Sequence, residues 1–100
     1  MATTTKPLAR AAAATTLATL YTVPASTTAV VTNIVVTNSA SSAGTFTLYL
    51  NGIDLFLTTA IAANTTAMFD LKQVLTTTQT ITGLASATTI KFHISGVEIA

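Results

Sequence analysis

A chain of 100 residues fits one domain, in which about two-thirds of the unfolded surface can be buried, and leaves no room for a second core. Half of the residues are hydrophobic and only 7% are charged, whereas a soluble small domain carries roughly a quarter to a third charged residues on its surface. The net charge of +1 comes from scattered cations, Lys6, Arg10, Lys72 and Lys91, which argues against a nucleic-acid partner. The lack of cysteine excludes disulfides and thiolate metal sites.

Threonine is the commonest residue and covers much of the surface in place of charge, since its methyl can face an apolar neighbour while its hydroxyl finds a hydrogen bond. With a mean hydropathy of +0.66, an isolated chain would expose uncharged, half-apolar area of the kind that marks an interaction site. A homo-oligomer or a place in a larger shell is therefore expected. No apolar run approaches the roughly 20 residues of a membrane helix, so no membrane partner is expected. Lys6 and Arg10 followed by Ala11 to Leu20 have the outline of an export signal, but Thr15, Thr16 and Thr19 interrupt it, and it is not read as one.

Residues 1–16 are a low-complexity run of Ala and Thr without alternation, read as an extended N-terminal arm that would order on a neighbouring subunit. A short helix over Leu8 to Ala14 is the competing local preference. Residues 17–100 form the β-sandwich domain. Leu17 to Val23 is its first strand, ended by the turn at Pro24, Ala25 and Ser26. Thr28 to Asn38 is the strongest strand signal: Val30, Ile34 and Val36 share one face and Val31 and Val35 the other, as expected of a central strand or one covered by a partner.

After the small polar loop Ser39 to Gly44, Phe46, Leu48 and Leu50 alternate with Thr45, Thr47 and Tyr49. Asn51-Gly52 predicts a type I′ hairpin that pairs Leu50 with Ile53, Leu48 with Leu55 and Phe46 with Leu57, six apolar side chains on one face. Asn64 to Leu71 and Gln79 to Leu84 read as further strands, the latter entered through Thr76 to Thr78. In Thr88 to Ala100, Ile90, Phe92 and Ile94 face one way and Lys91, His93 and Ser95 the other, and a bulge at Gly96 would carry the apolar parity to Val97 and Ile99. Short strands with turns every eight to twelve residues predict an all-β fold, an antiparallel β-sandwich, with a jelly roll as one arrangement.

Chemistry-bearing residues are sparse. The single histidine, His93, sits mid-strand beside Lys91 and reads as a strand residue rather than a general base. Asp54, Asp70 and Glu98 are too dispersed for a cation cage; Asp54 borders the hairpin, and Asp70 with Lys72 would make a same-face pair worth under about 1 kcal/mol. Gly44, Gly52, Gly83 and Gly96 stand singly, unlike a phosphate-binding loop. Asn64-Thr65-Thr66 matches a glycosylation sequon but reads as a strand start. Tyr21, Tyr49 and the four phenylalanines fit core or interface better than a sugar-stacking platform. No catalytic, cofactor-binding or metal-binding residue is assigned, and no enzyme is expected.

The stretch Leu20 to Asn38, LYTVPASTTAVVTNIVVTN, and the ending Phe92 to Ala100, FHISGVEIA, resemble small Thr-rich structural virion proteins of tailed bacteriophages. Those proteins have a Tyr-x-Val-Pro-Ala turn before a valine-rich strand, here Tyr21 to Ala25, and a Gly-Val-Glu-Ile tail, here Gly96 to Ile99. The resemblance covers about a third of the chain directly. It is most like a capsid decoration or cement protein, which implies a place on the outer surface of the capsid. The implied partners are the major capsid protein and the chain itself, with a trimer favoured over a dimer because three-fold axes are natural docking sites. A tail, baseplate or fibre component is the second reading, and a receptor- or carbohydrate-binding module the third.

Overall fold

In the computed structural model, which describes residues 2–100, the chain is one long ribbon doubled back at Asn51 and Gly52. Its strands are β1 (Thr3–Ala12), β2 (Ala18–Thr22), β3 (Thr28–Asn38), β4 (Gly44–Leu50), β5 (Ile53–Ile61), β6 (Thr65–Leu75), β7 (Thr80–Ala85) and β8 (Ile90–Ile99). β4 pairs with β5, β3 with β6, β2 with β7 and β1 with β8, all antiparallel. Partners lie nearly equidistant from the turn: Leu50 with Ile53, Ala29 with Leu75, Ala18 with Gly83, Thr3 with Ile99. The ribbon then wraps, so that it forms a first sheet ordered β1-β8-β3-β6 and a second ordered β2-β7-β4-β5. Further ladders, β3 with β8 and β4 with β7, close each sheet. This is the two-sheet jelly-roll form of an antiparallel sandwich.

The turn has the conformation its residues favour. Asn51 and Gly52 have φ of 50° and 81°, as both central positions of a type I′ turn require. Between the sheets, Phe46 is the hub of an aromatic cluster: its ring centroid lies 5.5 Å from Phe56, 6.3 Å from Phe69 and 6.2 Å from Phe92. Phe46 and Phe56 come from the second sheet, Phe69 and Phe92 from the first, so the cluster joins the layers. Val31, Ile34, Val36, Leu48, Ile81, Ile90 and Ile94 complete a fully buried core.

Four expectations change. The hairpin register holds at Leu50 and Ile53, but Leu48 pairs with Phe56 instead of Leu55 and Phe46 with Thr59 instead of Leu57. Bulges on β5 cause the slip. At the second, Thr58 has φ 46° and its N–H is taken by the Thr47 hydroxyl at 2.9 Å. The six apolar residues therefore do not share a face, and Ile53 and Leu57 are exposed.

In β3, Thr32 is an extra residue against β8, because Val31 pairs with Gly96 and Asn33 already with Ser95. The bulge exchanges the faces of one half of the strand: Val31 joins Ile34 and Val36 inside, and Val30 joins Val35 outside. β3 is a central strand, as expected.

Gly96 is not the bulged residue. It continues the inward series Ile90, Phe92, Ile94, and the adjoining extra residues are Thr32 on β3 and Leu8 on β1. A Cβ at Gly96 would run into the Val30 carbonyl oxygen and lie 2.8 Å from Leu8 Cδ1. Leu8 thus occupies the space that a side chain there would need.

The stretch read as an arm is extended, but it serves the chain's own fold. β1 is an edge strand of the first sheet, and Leu8 and Ala13 are buried. Its Ala and Thr residues hid the strand because they supply no alternation, and Pro7 is tolerated because an edge strand can leave a missing donor facing solvent.

Gly96→Ala is expected to destabilise the fold by about 2–3 kcal/mol, read from the urea midpoint, because a backbone carbonyl cannot swing aside. Removing residues 1–16 should abolish the cooperative thermal transition by uncovering β8 and the Leu8 and Ala13 sites. A truncated chain that melts like the full one would show that β1 adds nothing to the sandwich.

Candidate functional site

The two sheets present different outer surfaces. Across the second sheet, one row reads Thr19, Thr82, Tyr49, Asp54, a polar row of the kind an antiparallel sheet with one face on a core presents, while Ile53 and Leu57 stand exposed on its edge strand β5. Across the first sheet, one row reads Val74, Val30, Val97, Thr5, and Ile99 stands beside Thr28 and Thr3 in the next. Towards the other end come Asp70, Asn33, Ser95, Pro7 and then Met68, Val35, His93, Arg10. The face is therefore apolar at one end and basic at the other, where Lys91 follows beside Thr37.

The bulge at Thr32 makes an open depression of about 380 Å³ between these ends, lined by Thr32, Asp70, Leu71 and Lys72. Asp70 does not close a pair with Lys72. Its carboxylate accepts a hydrogen bond from Asn33 Nδ2 at 3.1 Å, and the one ion pair among the described residues is Lys6 with Glu98. His93 is half-buried on the outer face between Arg10 and Val35, and Asp54 lies exposed at the hairpin. Asn64 is an exposed turn residue with φ 51° whose N–H donates to the Ala40 carbonyl at 3.0 Å. Among the described residues no three His, Cys, Asp or Glu side chains gather. Tyr49 stands on the outer row of the second sheet, and the phenylalanines form the inter-sheet cluster.

A cluster that sequence reasoning missed closes the β1/β2 side. The Tyr21 hydroxyl donates to Glu98 Oε2, and Lys6 Nζ lies 3.3 Å from Glu98 Oε1. These residues come from β2, β8 and β1, so the clasp ties the two sheets together. Burial, and then the hydrogen bond to Glu98 and its charge, push the Tyr21 hydroxyl far above its ordinary 10.0. The hydrogen bond from Tyr21 holds the Glu98 carboxyl below its ordinary 4.5; partial desolvation opposes this and Lys6 reinforces it. Tyr21 and Glu98 are 77 positions apart, and the one local signal was an acid inside an otherwise apolar strand end.

The chain is similar in fold to a chain in the solved structure of infectious bursal disease virus, Gx strain, with a TM-score of 0.50 and 15% identity over 97% of this chain. The match covers 31% of that chain, so the present chain spans about a third of its neighbour's length. At this identity the likeness is one of fold. No protein-family model and no curated protein sequence matches the chain.

The clasp makes stability depend on pH at both extremes. Glu98 is depressed in the folded state, so its contribution is present above the ordinary carboxyl value and is lost as pH falls through the folded one. Tyr21 is raised, so its contribution is present below 10.0 and is lost as pH rises beyond that value. Tyr21→Phe should cost about 1 kcal/mol at neutral pH and flatten the alkaline limb of a denaturation-midpoint profile, while Glu98→Gln should flatten the acid limb. Unchanged limbs in both variants would remove the clasp from the account of stability.

Proposed function

We propose that the chain is a structural component of a virus particle, a capsid decoration protein that lays the outer face of its first sheet on the shell built by a major capsid protein and reinforces it from outside. The observation that carries this reading is the apolar end of that face, Val30, Val74, Val97 and Ile99, on a chain with only 7% charged residues. A solvated sheet face of this kind is a contact surface awaiting a partner. The fold likeness to a chain of a virus structure supports the setting, as does the resemblance of Leu20 to Asn38 and Phe92 to Ala100 to phage virion proteins.

No chemistry is required of such a protein. An interface of about 800 Å² per partner can be weak for one copy and still hold a shell together when many copies act at once. The mechanical role also suits a rigid sandwich in which both layers share one aromatic cluster and a side clasp.

Purified chain added to particles that lack it should appear in a cryo-EM reconstruction as repeated density on the outer shell lattice, and should raise the temperature at which the particles release their genome. Val30→Lys combined with Val97→Lys is expected to lower occupancy roughly 100-fold, by placing two unpaired charges in the contact. Density confined to a tail would overturn the reading in favour of a tail component, and absence of bound density would overturn it altogether.

A further inference from the structure

The two open sides of the sandwich are treated differently. On one side β1 carries Pro7, a bulge at Leu8 and the charges of Lys6 and Arg10, and β2 has only five residues. Such features keep an edge strand from pairing with another molecule. On the other side β6 runs for 11 residues with neither proline nor glycine, and its outer edge has no partner strand among the described residues. It carries the most exposed large apolar side chain of the described residues, Met68 at 75%, together with Val74 at 62%.

The pattern on this edge is symmetric about Leu71. Asp70 and Lys72 flank it at one step, and Met68 and Val74 at three. All four lie on the outer face, because Phe69 and Leu71 turn inward between them. β6 has one residue more than β3 across the step from Val31 to Asn33, but its own alternation runs through the bulge unbroken.

We propose that β6 pairs antiparallel with β6 of a second copy of this chain, across a two-fold axis at Leu71, joining the two first sheets into one continuous sheet of eight strands. In this register each Asp70 stands opposite Lys72 of the second copy, and each Met68 opposite Val74. Directly opposed charges of unlike sign stabilise an antiparallel pair and like charges destabilise it. The neighbouring antiparallel registers that keep the same faces together, displaced by two residues, put Asp70 against Asp70 or Lys72 against Lys72. A parallel in-register pair makes both clashes at once. Lys72 is free to serve, since it forms no ion pair within the chain among the described residues, and Asn33 holds Asp70 on the same face. The contact is self-complementary and closes at two copies, in place of the trimer suggested by shell symmetry. It also doubles the apolar face to which particle binding is assigned, although the pairing does not depend on that assignment.

Sedimentation equilibrium of the purified full-length chain tests this without particles, so its outcome is independent of the shell-binding experiment. A monomer–dimer equilibrium is expected. Asp70→Lys or Lys72→Asp alone should weaken the dimer about tenfold or more, by placing like charges opposite each other. The double exchange Asp70→Lys with Lys72→Asp should return the affinity to within about threefold of the original, because unlike charges face again. Both positions are solvent-exposed, and circular dichroism would verify that each variant is folded. A monomer at all concentrations, a trimer, single variants without effect, or a double exchange that fails to restore pairing would each overturn the proposal.

Discussion

The pairing of Leu50 with Ile53 across Asn51 and Gly52 aligns the two halves of the chain, and every strand from β1 to β4 takes its partner from that alignment. A displacement of one residue at the turn would carry through the β3–β6, β2–β7 and β1–β8 ladders and turn core side chains towards solvent. Two residues with φ of 50° and 81° therefore determine contacts made by strands tens of residues away. Asn and Gly accept that backbone region at little cost, which makes the turn dependable as a starting point.

What the turn aligns, the bulges then adjust. A uniform ladder would have kept Val30 with Ile34 and left Gly96 needing a side chain. Instead Thr32 and Leu8 enter as extra residues on either side of β8. Val31 turns inward and Leu8 lies over Gly96. On β5 the irregularity is stabilised by the Thr47 hydroxyl, a buried polar group whose partner is the backbone N–H of Thr58. Threonine thus serves inside the fold as a local substitute for a missing ladder bond, besides covering its surface. The Phe46 cluster can then join two sheets whose strands are individually irregular.

Strand positions were largely legible in the sequence and strand faces were not. Thr28 to Asn38 has the bounds expected from its valines, and the Asn51-Gly52 turn is where its dipeptide places it. Which of those valines face inward could not be read, because an inserted residue reverses a period-two pattern without altering composition. β1 is not legible for a different reason: a strand of Ala and Thr with a single Leu has no hydrophobic rhythm, and only its partner β8 makes it a strand. The Lys6–Glu98–Tyr21 clasp was hidden by sequence separation. The apolar outer face of the first sheet was foreshadowed by the two-faced valine pattern, but its place beside a basic end emerges only from cross-strand register.

The doubled-back ribbon also shapes how the molecule is made. Because β1 is completed by β8 alone, and Ala2 and Ala100 are joined by paired backbone hydrogen bonds at 2.7 and 2.8 Å, the first strand of this sandwich to be made waits for the eighth. β4 and β5 can pair first, β3 waits for β6, and β2 waits for β7, so the valine-rich β3 has a neighbour on one side only until β8 is made. Folds dominated by such distant pairings close slowly, and exposed strands in the meantime invite the wrong partners. Low charge gives the nascent chain little repulsion to keep its neighbours away, so the yield of folded protein in a crowded cell depends on how quickly the ribbon closes once β8 appears.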